Sequence, residues 1–213
     1  MEEKNHSEDT LRDLKDIRRI MERSSRFISL SGLSGIAAGI FALAGALIGR
    51  SILKDYYGSY NNRGIFLGDD FSTLKIKLAG LAVIVFIAAF VSSFYFTWRR
   101  TKVQGLPIWD HASKRLCWNM MVPLLTGGAF ILAMLQYDEW RFVAPSCLIF
   151  YGLALVNASK YTLTDVRYLG YCEIILGIVN MFFIGYGLYF WAAGFGILHI
   201  IYGTIMWYKY EKK

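Results

Sequence analysis

Charge is scarce in this chain. Of its 213 residues, Asp, Glu, Lys and Arg make 18% against 55% hydrophobic residues. An ordinary water-soluble domain of this size carries more polar surface than that, so the soluble globular class is excluded. Proline is nearly absent, with three copies at Pro107, Pro123 and Pro145, which leaves long stretches free to run as helix. Cysteine is equally rare. Cys117, Cys147 and Cys172 show neither a Cys-x-x-Cys step nor Cys/His spacing, which speaks against a disulfide or zinc framework and for reduced packing residues. The one acidic pair with a metal-like look, Asp69 and Asp70 after Gly68, lacks further oxygen ligands and reads as solvated. No metal, cofactor or catalytic residue is expected.

What the chain has in quantity is long apolar blocks, with a mean hydropathy of +0.38. Six spans stand out, at about 27–48, 78–96, 116–135, 142–158, 168–184 and 190–208. At roughly 17 to 22 residues and about 1.5 Å per residue, each matches a hydrocarbon core of about 30 Å, the fourth and fifth most narrowly. Lipid offers no partner to backbone N–H and C=O groups, and the blocks lack the two-residue alternation of a membrane barrel, so they must be helices. The expected fold is all-α, a polytopic transmembrane bundle over 27–208. A charged cytoplasmic segment, 1–26, precedes it and a basic C-terminus, 209–213, follows.

The net charge of +7 invites a nucleic-acid reading, but topology accounts for it. With the N-terminus inside, only Arg50, Lys54, Arg63, Lys75, Lys77 and Arg141 fall outside. Every other Lys and Arg lies on the tail, between spans two and three, between spans four and five, or after span six. That is the positive-inside bias for two cytoplasmic termini, and no basic stripe is left over for nucleic acid. Tryptophan agrees: Trp98, Trp109, Trp118, Trp140, Trp191 and Trp207 all sit at predicted span ends. The first apolar block follows a long charged tail and leads into further spans, so it reads as a signal anchor rather than a cleaved signal peptide.

The tail from Thr10 to Arg26 has a helical pattern, with Thr10 and Asp13 as a capping pair and Leu11, Leu14, Ile17 and Met21 on one side. It reads as an interfacial helix, or as a handle for a protein partner. Ser31, Gly35 and Gly39 make small-xxx-small steps on the first span, with Gly45 and Gly49 beyond. Such ridges let helices approach closely, within one chain or in a homo-oligomer. Gly49 to Lys77 reads as the long outer loop, turning at Asn61 to Gly64. Around Pro107, Trp109 and His111 a short interfacial helix is expected, N-capped by Asp110. Pro123, with Gly127 and Gly128, marks the third span for a kink, with Asn119 near its inner end. No internal repeat is visible.

The last two spans mirror each other across Gly185, Tyr186 and Gly187. Gly170, Glu173, Gly177 and Asn180 recur at i, i+3, i+7 and i+10, as do Ala192, Gly196, His199 and Gly203. Folding at the turn sets Gly170 against Gly203, Glu173 against His199, Gly177 against Gly196 and Asn180 against Ala192. An acid and an imidazole meeting in hydrocarbon are costly unless paired, which makes Glu173 and His199 the leading candidate site. Either a charged pair or a neutral hydrogen-bonded pair is chemically sound, serving as a structural clamp or as a proton-linked or ligand-binding element.

Three functional classes compete. Gly32, Leu33, Ser34 and Gly35 resemble the G-x-S-G of rhomboid intramembrane proteases, and a sixth-span His199 followed by Gly203 adds to the likeness. In rhomboids the serine helix comes late; here it is the first span, and no oxyanion donor is placed. Transport would use midplane polar groups, for which Asn119, Asn157, Asn180, Glu173 and His199 are candidates, yet no midplane Lys or Arg and no repeat accompanies them. The leading expectation is a non-enzymatic scaffold or accessory subunit whose partners are the lipid bilayer and, through the tail, another protein.

Three stretches, Ile17 to Gly45, Ile149 to Tyr161 and Gly185 to Glu211, resemble a family of small six-span bacterial inner-membrane proteins with no established activity. The resemblance implies a multi-pass protein of the bacterial cytoplasmic membrane, and no substrate comes with it.

Overall fold

The computed structural model describes residues 30–63, 68–105 and 109–212, with the backbone alone at 59–63 and 68–70. The tail helix expected over Thr10 to Arg26, and Pro107, lie outside the described residues. Among these residues the chain is all-helical, with no strand. The long helices are α1 (Gly32–Arg63), α2 (Gly68–Val103), α3 (His111–Gln136), α4 (Val143–Ala158) and α5 (Asp165–Phe182). A last rod joins α6 (Gly187–Trp191), a π turn (Ala192–Leu198) and α7 (His199–Tyr210) without a break. Five stretches are long and apolar enough to cross a membrane: Gly32–Gly58, Phe71–Val103, His111–Gln136, Trp140–Ala158 and Ile184–Tyr210. Helix α5 falls short on composition, because Asp165, Arg167 and Glu173 all lie within its 18 residues.

Two expectations need correction. The outer loop from Gly49 to Lys77 is mostly helix: α1 runs on through Asn61 and Asn62 to Arg63, and α2 starts at Gly68. Hydropathy marks only the part of a helix that lipid would cover, whereas hydrogen bonding propagates until a breaker stops it. At 32 and 36 residues, these helices are about 48 and 54 Å long, well beyond a hydrocarbon core of about 30 Å. Likewise, Asp110 caps the long helix α3 itself rather than a separate short one. Its carboxylate accepts from Ser113 N at 2.6 Å and the Ser113 hydroxyl accepts from Asp110 N at 2.8 Å, a complete capping box.

Glycine decides which helices meet. Helix α1 lies between α2 and the last rod, α4 pairs closely with α5, and α3 packs on the far side of α4. A Cβ on Gly203 would lie 2.6 Å from Ile36 N and 2.7 Å from Gly32 O, and one on Gly39 would lie 2.7 Å from Gly196 O. Helix α1 and the rod therefore touch backbone to backbone, with Gly35 in the same seam. On the other seam, a Cβ on Gly152 would sit 2.7 Å from Gly170 O, and one on Gly170 would sit 2.8 Å from Gly152 O. Gly177 repeats the contact against Pro145 O at 2.9 Å. Where lipid gives helices no hydrophobic reason to associate, such close approach is what dispersion and Cα–H···O contacts need.

Polar side chains tie the ends. Near Ser31, the Glu211 carboxylate accepts from Ser31 Oγ at 3.2 Å and from the Gly32 amide, and pairs with Arg100 at 3.1 Å. An acid thus caps the N-terminus of α1 from the far end of the chain, satisfying an orphan N–H and the helix dipole together. Arg100 also donates to the Leu30 and Tyr210 carbonyls. The described chain therefore begins and ends at one end of the bundle. At the other end, Asp138 adopts a φ of 59° just past α3, a left-handed cap position that Asp tolerates, and its carboxylate takes the Lys75 ammonium.

Candidate functional site

Helix α5 presents Glu173, α4 presents Tyr151, and the last rod presents His199 where its π turn ends. Glu173 is 0% exposed and His199 6%. Nδ1 of His199 lies 3.4 Å from Oε1 of Glu173, so the acid and imidazole expected from the sequence do meet. The same nitrogen lies closer, at 3.0 Å, to the carbonyl of Gly194 inside the π turn. Because a carbonyl only accepts, Nδ1 carries the hydrogen. In the neutral ring Nε2 is then an acceptor, and the Tyr151 hydroxyl donates to it at 2.8 Å. Imidazole tautomer and ring orientation are thereby fixed from both sides.

The carboxyl group is less well served. Both oxygens of Glu173 are buried without a hydrogen-bond partner. They press on the π turn, since a Cβ on Gly194 would fall 2.5 Å from Oε2 and 2.5 Å from Leu148 Cδ2. A side chain there would have to displace the ends of Glu173 and Leu148. Phe195 closes the site by packing on Tyr151 and His199, with ring centroids 5.0 and 5.9 Å away, and Trp191 stacks behind it at 5.4 Å. An ionised carboxylate with no hydrogen bonds carries a desolvation cost of several kcal/mol, which a proton removes. Helix segments of π geometry recur at functional sites because they widen the turn and re-aim side chains.

The mirrored glycine stripes do not face each other, contrary to the hairpin expectation. Gly170 and Gly177 face α4, through Gly152, Val156, Pro145 and Ile149, whereas Gly196 and Gly203 face α1, through Leu43, Gly32 and Ile36. Each stripe finds a partner outside the hairpin, and α5 meets the last rod through Glu173 with His199 and, nearer the chain end, through Asp165 with Lys209 and Tyr210. Asn180 bonds within its own helix end. It is 0% exposed, donates to the Phe183 carbonyl at 3.2 Å at the end of its own helix, and leaves its side-chain oxygen unpaired.

Asn119 and Asn157 do come together, away from Glu173. Nδ2 of Asn157 donates to the Asn119 backbone carbonyl at 2.8 Å. Pro123 sits four residues beyond Asn119 in an unbroken α3 and has no N–H to give that carbonyl. Asn157 supplies the missing donor from the neighbouring helix. These two asparagines are a repair of the proline site, which leaves Glu173, His199, Tyr151 and Asn180 among the buried and half-buried polar groups of α4, α5 and the last rod.

Ser34 is engaged elsewhere than a protease would need. Its hydroxyl donates to the Ser31 carbonyl, while the ring nitrogens of His199 are held by Tyr151 and Gly194. All three cysteines are free, and Cys117 is exposed rather than packed. Among the described residues no three His, Cys, Asp or Glu side chains converge as metal ligands.

Tyr151, Gly194 and the Glu211–Arg100 cap escape a reading of the sequence. Tyr151 lies 22 positions before Glu173 on a span with no periodic polar marker, so only helix packing brings it to His199. Glu211 looks like one more charge in a cytoplasmic tail. No family model, characterised protein or solved structure matches this chain.

Proposed function

We propose that the protein is a six-span helical protein of the bacterial cytoplasmic membrane, both termini in the cytoplasm, acting as a non-enzymatic scaffold or accessory subunit. The observation that carries this reading is the sealing of the polar core: Glu173 has no exposed surface, its carboxyl group lies against Gly194, and Phe195 packs on the neighbouring His199. A closed centre bound by backbone contacts on both seams suits a part that holds shape. The bond between Ser31 and Glu211 at one end supports an even number of crossings, and the distribution of Lys and Arg gives that end to the cytoplasm. Its partners are then lipid and a protein met through the tail ahead of Phe27. Purification of tagged full-length protein tests this: a stoichiometric partner retained by the intact chain and lost on deleting residues 1–26 supports the role, and a chain that purifies alone in both forms refutes it.

One observation favours a second reading, proton-linked transport. A buried acid whose oxygens lack hydrogen bonds, next to an imidazole–phenol pair and a π turn, is a costly arrangement for packing alone. Proton flux into liposomes that Glu173→Gln abolishes would establish it; flux absent from both forms would dismiss it.

A further inference from the structure

A single N–H stands between two acceptors at the centre of the bundle. It is committed to the Gly194 carbonyl at 3.0 Å, with Oε1 of Glu173 behind it at 3.4 Å and both carboxyl oxygens without a hydrogen bond. Neutral Glu173 permits that division, whereas an ionised one opposes it, because a carboxylate draws an N–H about twice as strongly as a neutral carbonyl does. The carboxyl group also lies close to the residue that carries the competing carbonyl. Oε2 lies against Gly194, the residue whose carbonyl holds the hydrogen bond and whose backbone belongs to the seven-residue π turn.

We propose that Glu173 is an exchangeable proton-binding site whose occupancy sets the register of the turn Ala192–Leu198. With Glu173 protonated, Nδ1–H stays on Gly194 and the wide turn is held open. When the carboxyl O–H breaks during a transient local opening that admits water, its proton passes to that water and its electron pair stays on oxygen. The Nδ1–H bond is not broken; it changes acceptor from Gly194 to the carboxylate, and Tyr151 keeps its own proton on the side of Nε2. Release of the side-chain bond leaves the Gly194 carbonyl to its backbone donors alone, which lets the turn tighten toward an α ladder.

The elements around Glu173 bring few competing charges. The last rod contributes His199 and α4 contributes Tyr151, with Cys147 next to Leu148 in sequence. On its own helix, Cys172 adjoins Glu173 in sequence. Helix α1 meets the turn through Gly39 and Leu43, which do not titrate. The proposal shares with the proton-linked reading only the exchange of a proton at Glu173 and requires no flux.

Dicyclohexylcarbodiimide, which adds to protonated carboxyls in apolar surroundings, tests it on full-length protein in liposomes from about pH 5 to about pH 9. Intact-mass analysis should find one adduct at Glu173, its rate falling about tenfold per pH unit above a midpoint, as loss of one proton requires. Deuterium exchange over residues 192–199, corrected for intrinsic pH dependence, should step at the same midpoint. In Glu173→Gln, which stays neutral, the step should vanish. Absence of the adduct at every pH, an adduct independent of pH, or a step that persists in Glu173→Gln overturns the proposal. If that variant fails to fold, Tyr151→Phe decides. Loss of the donor to Nε2 should move both midpoints together, and midpoints that separate overturn the coupling. A titrating Glu173 in liposomes that pass no protons sinks transport and leaves this proposal standing.

Discussion

Replacing Asn157 with Leu strips the side-chain donor that the structure gives to the Asn119 carbonyl, a group that Pro123 has already deprived of its helical partner. A polar group left unsatisfied costs about 1–3 kcal/mol, and interhelical bonds in membranes contribute about 0.6–2 kcal/mol. The expected loss is therefore about 1 kcal/mol. Asn157→Leu also loses the exposed contact with Lys160 at 3.1 Å, which adds little. The sharp test is the background. In Pro123→Ala, the new N–H returns to the Asn119 carbonyl, so Asn157→Leu should then cost only a few tenths of a kcal/mol. A double-mutant cycle on the four forms, followed by reversible unfolding in mixed micelles, reads the difference directly. A coupling of about 1 kcal/mol, or roughly fivefold in the unfolding equilibrium, is predicted. Costs that add to within about 0.3 kcal/mol would refute the claim that the asparagine answers the proline.

Gly203→Ala and Gly170→Ala should each destabilise by about 1–3 kcal/mol, because the new methyl collides with backbone that no side-chain movement can relieve. Gly128→Ala, in open space on α3, should be neutral or slightly stabilising in the same unfolding assay. Glu211→Gln should loosen the closed end by weakening both the cap of α1 and the Arg100 pair, a loss of about 1 kcal/mol visible as faster deuterium exchange near Gly32. At the other end, the Lys75 ammonium holds the Asp138 carboxyl below its ordinary value of 3.8, by hydrogen bond first and by charge second. A lowered folded-state value means the contact contributes fully above that range and is lost as pH falls through it. Asp138→Asn should remove the small acid-side dependence, and salt should mask it, since the carboxylate is exposed.

Much of the candidate site was legible because membrane helices advertise their exceptions. Glu173 and His199 stand out in hydrocarbon by charge alone, and the spacing of the last two spans sets them at one depth. The same spacing misled on the glycines, since a stripe says that something packs closely there and not which helix does. Gly152 answers Gly170, and Gly32 answers Gly203, for reasons of three-dimensional order that no hairpin rule contains. Asn119 and Asn157 looked like a polar pathway, and only the backbone atom that joins them identifies a proline repair.

Sequence by itself determined that this chain folds as apolar helices with basic flanks, that an acid and an imidazole share a depth, and that glycine notches bring backbones into contact. Those follow from the cost of exposing peptide groups and charge to lipid, which is paid locally by each helix. Tertiary structure alone decided that α1 lies between α2 and the last rod, that Glu211 caps the first helix from the opposite end of the chain, and that Tyr151 and Gly194 complete the buried site. Such choices turn on contacts between residues far apart in sequence, worth a few kcal/mol each, and nothing local in the chain ranks one partner above another.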